Sequence, residues 1–352
     1  MTENNKFDIV AVPSVYESNN LDLKFVASDL VSGLKLTERE QSYIIGNLAL
    51  TEGISPHRNI NASPDEIDYN LLMKAALLLG VQKLGNPITV TTGFPFSTFN
   101  LFRDAAKNQY IGEHVIQYDT GTYTNGGLKK ISVEVDQLHV MPEVIGCALG
   151  LRKQQDVQGN FFMLSLGYGT LEGVLSKPNG IVQRSSLSVF GMRYAVNLMR
   201  IELGSLYYLD LKNEHQLDVA FREASIVLNR KRVDLTDLRR KVLRQYYNDV
   251  ISPALRKAFD DADFAKASKM YLAGGGALYK EIKDLFDEEF DGIVTVEVAG
   301  QAEYLAAIGY CYQSILTNNG DKGRAVGIDI GNSSTVICTA KKEQENEVVY
   351  AQ

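Results

Sequence analysis

Val326-Gly327-Ile328-Asp329-Ile330-Gly331-Asn332-Ser333-Ser334-Thr335-Val336-Ile337-Cys338 is the stretch whose reading decides the fold. An apolar run closes on Gly331-Asn332-Ser333 and a second apolar run follows, the pattern of a β-hairpin. Such a turn offers successive backbone N–H groups and hydroxyls, a nest suited to phosphate oxygens. Asp329, at the strand end just before the turn, is placed to hold water molecules on Mg²⁺, an ion that keeps much of its hydration shell. A weak internal repeat lies upstream. Met163-Leu164-Ser165-Leu166-Gly167-Tyr168-Gly169-Thr170-Leu171 is again an apolar strand, a polar residue, a glycine turn and a second strand. Two copies of one unit point to two related domains facing one cleft, with a hairpin from each gripping a polyphosphate.

Outward from the hairpins, Met270–Ala273 reads as a strand running into Gly274-Gly275-Gly276 and an amphipathic helix from Ala277 to Phe286. Glycines let backbone approach a ligand closely, and a helix N-terminus favours anions. No Gly-Lys-Ser/Thr follows and no GxGxxG is present, which excludes the two best-known phosphate loops. Phe7–Val12 is a strand ending at Pro13-Ser14. Ser63-Pro64-Asp65-Glu66 reads as a capping box opening a helix with Ile67, Leu71, Ala75, Leu78 and Leu79 at helical spacing. Strands are expected at Ile88–Thr92, Ile111–Gln117, Leu128–Val135 and His139–Met141, and a helix from Pro142-Glu143. Residues 190–268 read as mostly helical, with Thr236 capping one helix. The alternation predicts an α/β protein whose mixed sheets are flanked by helices.

The chain has 352 residues, 22% charged and 45% hydrophobic. That length and composition predict two domains and exclude the disordered, collagenous and disulfide-stapled classes. The net charge of −7 disfavours broad electrostatic DNA binding. Cys147, Cys311 and Cys338 lack metal-ligand spacing, and the four histidines form no HExxH pair. No signal peptide and no membrane-spanning run is visible, so a cytoplasmic location is expected.

Together the motifs resemble the actin, sugar-kinase and heat-shock ATPase superfamily, in which nucleotide lies between two such hairpins and an adenosine-side glycine turn. Phosphate hairpin one looks like Gly327–Thr335, hairpin two like Leu164–Thr170, and the adenosine motif like Leu272–Ala277. Val140-Met141-Pro142-Glu143 resembles the first connecting helix of ParM-type plasmid-segregation actins, and Gly93-Phe94-Pro95 and Gly191-Met192-Arg193 also fit prokaryotic actin-like proteins. The resemblance implies two actin/ribonuclease-H-like domains with mixed five-stranded sheets, ATP (or GTP) and Mg²⁺ in the interdomain cleft, and hydrolysis. It assigns water orientation to Glu143 and, through water, the metal to Asp329. Nucleotide contacts fall to Gly331, Asn332, Ser333, Ser334, Ser165, Gly167, Tyr168, Gly169, Thr170, Gly274, Gly275 and Gly276. It further implies self-assembly into filaments and a DNA-binding adaptor at a centromere-like site.

Three features depart from that pattern. Hairpin one normally opens the chain, whereas here it follows everything else. Joining Gln352 to Met1 restores the order, so a circular permutation is expected, with Thr317–Gly323 as the bridge. The first domain would then be residues 1–150 plus 317–352, with a small outer subdomain near 16–65. The second would be 151–316, with a helical outer subdomain near 200–265. Hairpin two carries Ser165 where an aspartate is usual, and hairpin one carries Val336 where a phosphate-contacting lysine is usual; Glu172 is a candidate to compensate. Ser165 and Val336 leave room for a nucleotide-binding protein with weak hydrolysis; a non-polymerising relative (a small-molecule kinase or chaperone-like ATPase) is a separate alternative. Arg222–Arg244 holds eight basic and three acidic side chains, read as solvated helix faces. The run from Lys341 to Glu347 reads as a solvated hairpin turn.

Overall fold

The computed structural model describes residues 6–58, 63–207 and 213–341, so most of the Lys341–Glu347 turn and the Gln352–Met1 junction lie outside the described residues. Strands β1 (Phe7–Pro13), β2 (Val15–Ser18), β3 (Lys35–Glu38) and β4 (Gln41–Ile45) precede helix α1 (Asn47–Glu52) and β5 (His57–Arg58). Helix α2 (Ile67–Leu84) leads to β6 (Ile88–Phe94), α3 (Phe96–Tyr110), β7 (Gly112–Asp119), β8 (Leu128–Pro142) and α4 (Glu143–Gln154). Next come β9 (Phe161–Leu166), β10 (Thr170–Lys177) and β11 (Gly180–Phe190). Helices α5 (Arg193–Tyr207) and α6 (Glu214–Glu223), hairpin β12 (Ser225–Leu228) and β13 (Lys231–Asp234), and helices α7 (Thr236–Tyr246), α8 (Ser252–Ala258) and α9 (Asp261–Phe264) follow. Strand β14 (Lys269–Ala273), α10 (Lys280–Phe290), β15 (Thr295–Val298), α11 (Leu305–Thr317), β16 (Ala325–Ile330) and β17 (Ser334–Ala340) complete the described chain.

Two mixed sheets organise these elements. The first runs β1-β17-β16-β6-β8-β7-β3-β4-β2-β5 and the second β11-β10-β9-β14-β15. In the second, β9 is Phe-Phe-Met-Leu-Ser-Leu with every residue buried, the mark of a central strand covered on both faces. The first sheet is larger than expected: it runs on from β8 into the outer strands to make ten, not five. The cause is β8, which is one strand where two are expected. Its first half pairs antiparallel with β7, its second half parallel with β6, and a register shift at Ile88/Thr89 absorbs the change.

Hairpin β16–β17 is inserted between distant parts of the chain. β17 pairs antiparallel with β1 from Phe7↔Ala340 to Pro13↔Ser334, while β16 runs parallel to β6. Helices α4 and α11 cross beneath the junction of the two lobes at unusually close range. A Cβ on Gly309 would lie 1.9 Å from the Gly146 carbonyl oxygen, so only paired glycines permit this approach.

Two helix starts differ from expectation. The Ser63–Glu66 box does not cap α2: Glu66 is the N-cap residue and its side chain makes no cap bond. Instead the Glu66 N–H bonds to the Ser63 carbonyl, closing a separate turn that ends just before the helix. At α7 the cap comes from Asp234, whose carboxylate accepts from the Thr236 N–H at 2.8 Å. The glycine turn opens into a short 3-10 segment, Gly275–Leu278, before α10 begins at Lys280. The outer part of the second lobe is not wholly helical, since β12 and β13 form a hairpin there.

Candidate functional site

The turn of β16–β17, the turn of β9–β10 and the glycine turn after β14 converge on one cavity of about 580 Å³ between the lobes. Hairpin one contributes Asp329, Gly331, Asn332, Ser333 and Ser334 to its wall. Hairpin two contributes Gly167, Tyr168, Gly169 and Thr170, and the glycine turn all three of Gly274, Gly275 and Gly276. Glu143, at the start of α4, lines the same space. Ser165 lies just beneath the wall, donating its hydroxyl to Glu143 Oε1 at 3.0 Å. The two hairpins meet across the cleft, where a Cβ on Gly169 would stand 2.2 Å from Asn332 Oδ1. Gly274 and Gly276 back onto Leu166, while Gly275 has nothing within 4 Å of its missing side chain and leaves backbone open to a ligand.

Three carboxyls lie close together here, Glu172 fully buried and Glu143 and Asp329 half-buried at the cavity wall. Burial, and then the charge of Glu143, holds Asp329 well above the usual carboxylate range. Burial likewise raises Glu143, opposed by the Ser165 hydrogen bond. Glu172 is pushed up to about 8 by burial and then by Glu143, despite accepting backbone N–H groups of Phe96 and Val144. Concentrated negative charge of this kind is relieved by a cation or by protons. Among the described residues no set of three or more His, Cys, Asp or Glu side chains is arranged to hold a metal directly. An ion held by one carboxylate, water and phosphate oxygens is compatible with that donor set, as Mg²⁺ prefers. Val336 turns away from the cleft into the cluster of Phe7, Ile308 and Cys311. Arg222 is the cationic side chain among the described lining residues, with His215 beside it.

Sequence reasoning missed a second group. Arg58, from the outer part of the first lobe, reaches α6 of the second, donating to Asp218 Oδ2 at 3.0 Å and to His215 Nδ1 at 2.8 Å. Its guanidinium lies 4.9 Å from the ring centroid of Tyr168 in hairpin two. Tyr168 in turn donates to Glu214, which Arg193 also holds. The bridge joins the two lobes through Tyr168, His215 and Asp218, which line the cavity; nothing local in the sequence signals a contact between residues so far apart. Tyr310 of α11 was missed too. Its phenol, buried and without a hydrogen-bond partner, is raised by burial and by the charges of Asp329 and Glu143, and Gly93 and Gly146 leave room for its ring. Within Arg222–Arg244, five of the eight cations form ion pairs, with Asp218, Glu281, Asp237, Glu202 and Glu288.

Comparison with known proteins settles the fold. Residues 3–146 match the family described as actin-like proteins, N-terminal domain. The archaeal actin homolog Ta0583 is 18% identical with a TM-score of 0.68, over 88% of this chain and 92% of that one. The fold is actin-like. A ParM filament protein from Clostridium botulinum is 17% identical with a TM-score of 0.66, over 87% of this chain and 92% of its own. Bacillus thuringiensis ParM, solved with ATP, is 15% identical with a TM-score of 0.57, over 90% and 95%. No curated protein matches the sequence. The actin-like fold places the two sheets as its two domains, of the kind seen in ParM-type proteins, with the cavity between them. None of the described helices is long and apolar enough to cross a membrane.

Proposed function

We propose that this chain is an actin-like ATPase that binds ATP (or GTP) with Mg²⁺ in the interdomain cavity and assembles into filaments, serving plasmid or DNA segregation. The observation that carries the reading is convergence: three glycine-bearing turns from separated parts of the sequence, and Glu143, border one cavity. In this reading the hairpins hold the phosphates, Gly274–Gly276 flank the nucleoside, and Asp329 orders water on the metal. The metal would supply neutralising charge at the phosphates. Glu143, kept in place by Ser165, orients the attacking water, a task of alignment rather than covalent chemistry.

Neighbours with the same fold support the nucleotide and the assembly: Ta0583 was solved in complex with ADP, and the Clostridium botulinum ParM forms a 15-stranded filament. A DNA-binding adaptor, linking filaments to a centromere-like site, is part of the proposal, as is a cytoplasmic location. So is the division into residues 1–150 plus 317–352 and residues 151–316. Circular permutation is the natural reading of a hairpin one that enters the first sheet next to β1 from the far side of the chain.

Ser165 and Val336 favour slow hydrolysis over fast. Sedimentation of the full chain with ATP, ADP and no nucleotide, together with phosphate release, tests the reading. Filaments are expected with ATP, and Glu143→Ala is expected to bind nucleotide while releasing phosphate at least about tenfold more slowly. Failure to pellet in every nucleotide state at high protein concentration sinks the filament reading. Wild-type turnover in Glu143→Ala sinks the role of Glu143.

A further inference from the structure

Glu172 lies on β10 directly opposite Ser165 of β9 and Ser188 of β11, fully buried. One of its oxygens accepts the N–H of Phe96, the first residue of α3 in the first domain. The other accepts the N–H of Val144 at 3.3 Å, in the first turn of α4. Both are orphan amides in the first turns of helices longer than two turns, which need acceptors from outside the helix. The Val144 N–H belongs to the peptide unit that begins at Glu143. Because that unit is planar, fixing its N–H fixes the Cα of Glu143. Ser165, one strand over, holds the Glu143 side chain. A further link, Ser188 to Ser97 at 3.1 Å, ties the same face of the second sheet to α3.

We propose that Glu172 is a positioning residue for hydrolysis: it locks the backbone of Glu143 to hairpin two and to the start of α3, so that Glu143 keeps register with the phosphates. The proposal rests on the reading of Glu143 above. Hairpin two therefore holds Glu143 twice, by its side chain and by its peptide. Any shift of the hairpin on nucleotide binding carries the water-orienting carboxyl with it.

The role acts on geometry at the reacting end, not on nucleotide affinity. The test uses the full chain with Mg²⁺·ATP, measuring nucleotide affinity and single-turnover phosphate release separately. A displacement of about 1 Å at a positioned group costs on the order of 100-fold in rate, so Glu172→Ala is expected to slow release by roughly 10- to 100-fold with affinity within about threefold. Glu172→Gln keeps one acceptor oxygen but sets an NH₂ against the other amide; its rate should fall between wild type and Glu172→Ala. Wild-type release by Glu172→Ala overturns the proposal. So does an equal fall in affinity and rate, which marks a merely structural support. If Glu172→Ala does not fold, the near-isosteric Glu172→Gln decides, and a wild-type rate there overturns it. Failure of the underlying reading looks different: the wild-type chain releases no phosphate, or Glu143→Ala is as fast as wild type.

Discussion

The crossing of α4 over α11 makes a sharp prediction, because two Gly→Ala substitutions in helices should have opposite signs. Replacing glycine by alanine inside a helix normally gains about 1 kcal/mol. At Gly80, in α2, the added methyl would meet Val326 at 3.5 Å, ordinary contact distance, so the gain should be realised. At Gly309 the methyl would lie 1.9 Å from the Gly146 carbonyl oxygen, 2.6 Å from its carbon and 3.0 Å from the Gly150 N. Contact between such atoms is comfortable near 3.5 Å, so the helices must part by roughly 1.5 Å. All the atoms met are backbone and cannot rotate aside. Overpacking of this kind costs about 1–3 kcal/mol or more, which outweighs the propensity gain. At about 2–4 °C per kcal/mol, Gly80→Ala should melt a few degrees above wild type and Gly309→Ala several degrees below. Thermal unfolding followed by circular dichroism measures both. Gly309→Ala melting at or above wild type would refute the close-crossing argument, and the two variants moving together would refute the comparison. Since α4 carries Glu143 and α11 leads to hairpin one, the proposed ATPase reading further expects Gly309→Ala to slow phosphate release.

Two further outcomes follow from the cleft. Arg58→Ala removes the bridge between the outer parts of the domains. It should lower the melting temperature, with a cost of about 1–3 kcal/mol; breaking a buried pair often costs more, but Arg222 still holds Asp218 and two Arg58 nitrogens lack partners already. Small-angle scattering should show a more open particle; unchanged dimensions and stability would count against the bridge. The clustered carboxyls set a pH dependence. Glu172 is raised from 4.5 to about 8, so its folded form holds a proton the unfolded chain has lost. Its contribution is full below about 4.5 and lost as pH rises through about 8, and Glu143 and Asp329 act in the same sense. Nucleotide-free protein should therefore be less stable to urea at pH 8 than at pH 6, with a smaller difference in Glu172→Gln. Equal slopes in both would contradict this.

How much of this was legible depended on range. The hairpin turns and the glycine turn are local, since a glycine at a fixed offset from an apolar run announces the turn wherever the segment packs. Hairpin β16–β17 and turn 274–276 could therefore be read directly, and the family pattern joined them. Glu172 could be seen as a buried-strand carboxylate, but not aimed, because its partners Phe96 and Val144 belong to other elements. Arg58 with Asp218 was invisible for the same reason. The cations of Arg222–Arg244 are exposed as expected, Arg239 excepted, but their partners Glu202, Glu281 and Glu288 lie outside that window and could not be named from it. Ser63–Glu66 failed differently: the motif was present, but a turn took the backbone bond a cap would have needed. In β8, one bulge joined what periodicity separated, and with it two sheets into one.

The insertion of β17 between β16 and β1 also orders events during synthesis. β1 is made first, yet its sheet partner is β17, made after every other described strand. Until then β1 is a strand without a neighbour and β6 shows an open edge on its β16 side, surfaces that invite wrong pairing. Asp329 arrives with the same hairpin. In the proposed reading, nucleotide therefore cannot act on the growing chain before this hairpin is made, and among the described strands the earliest must wait for the latest.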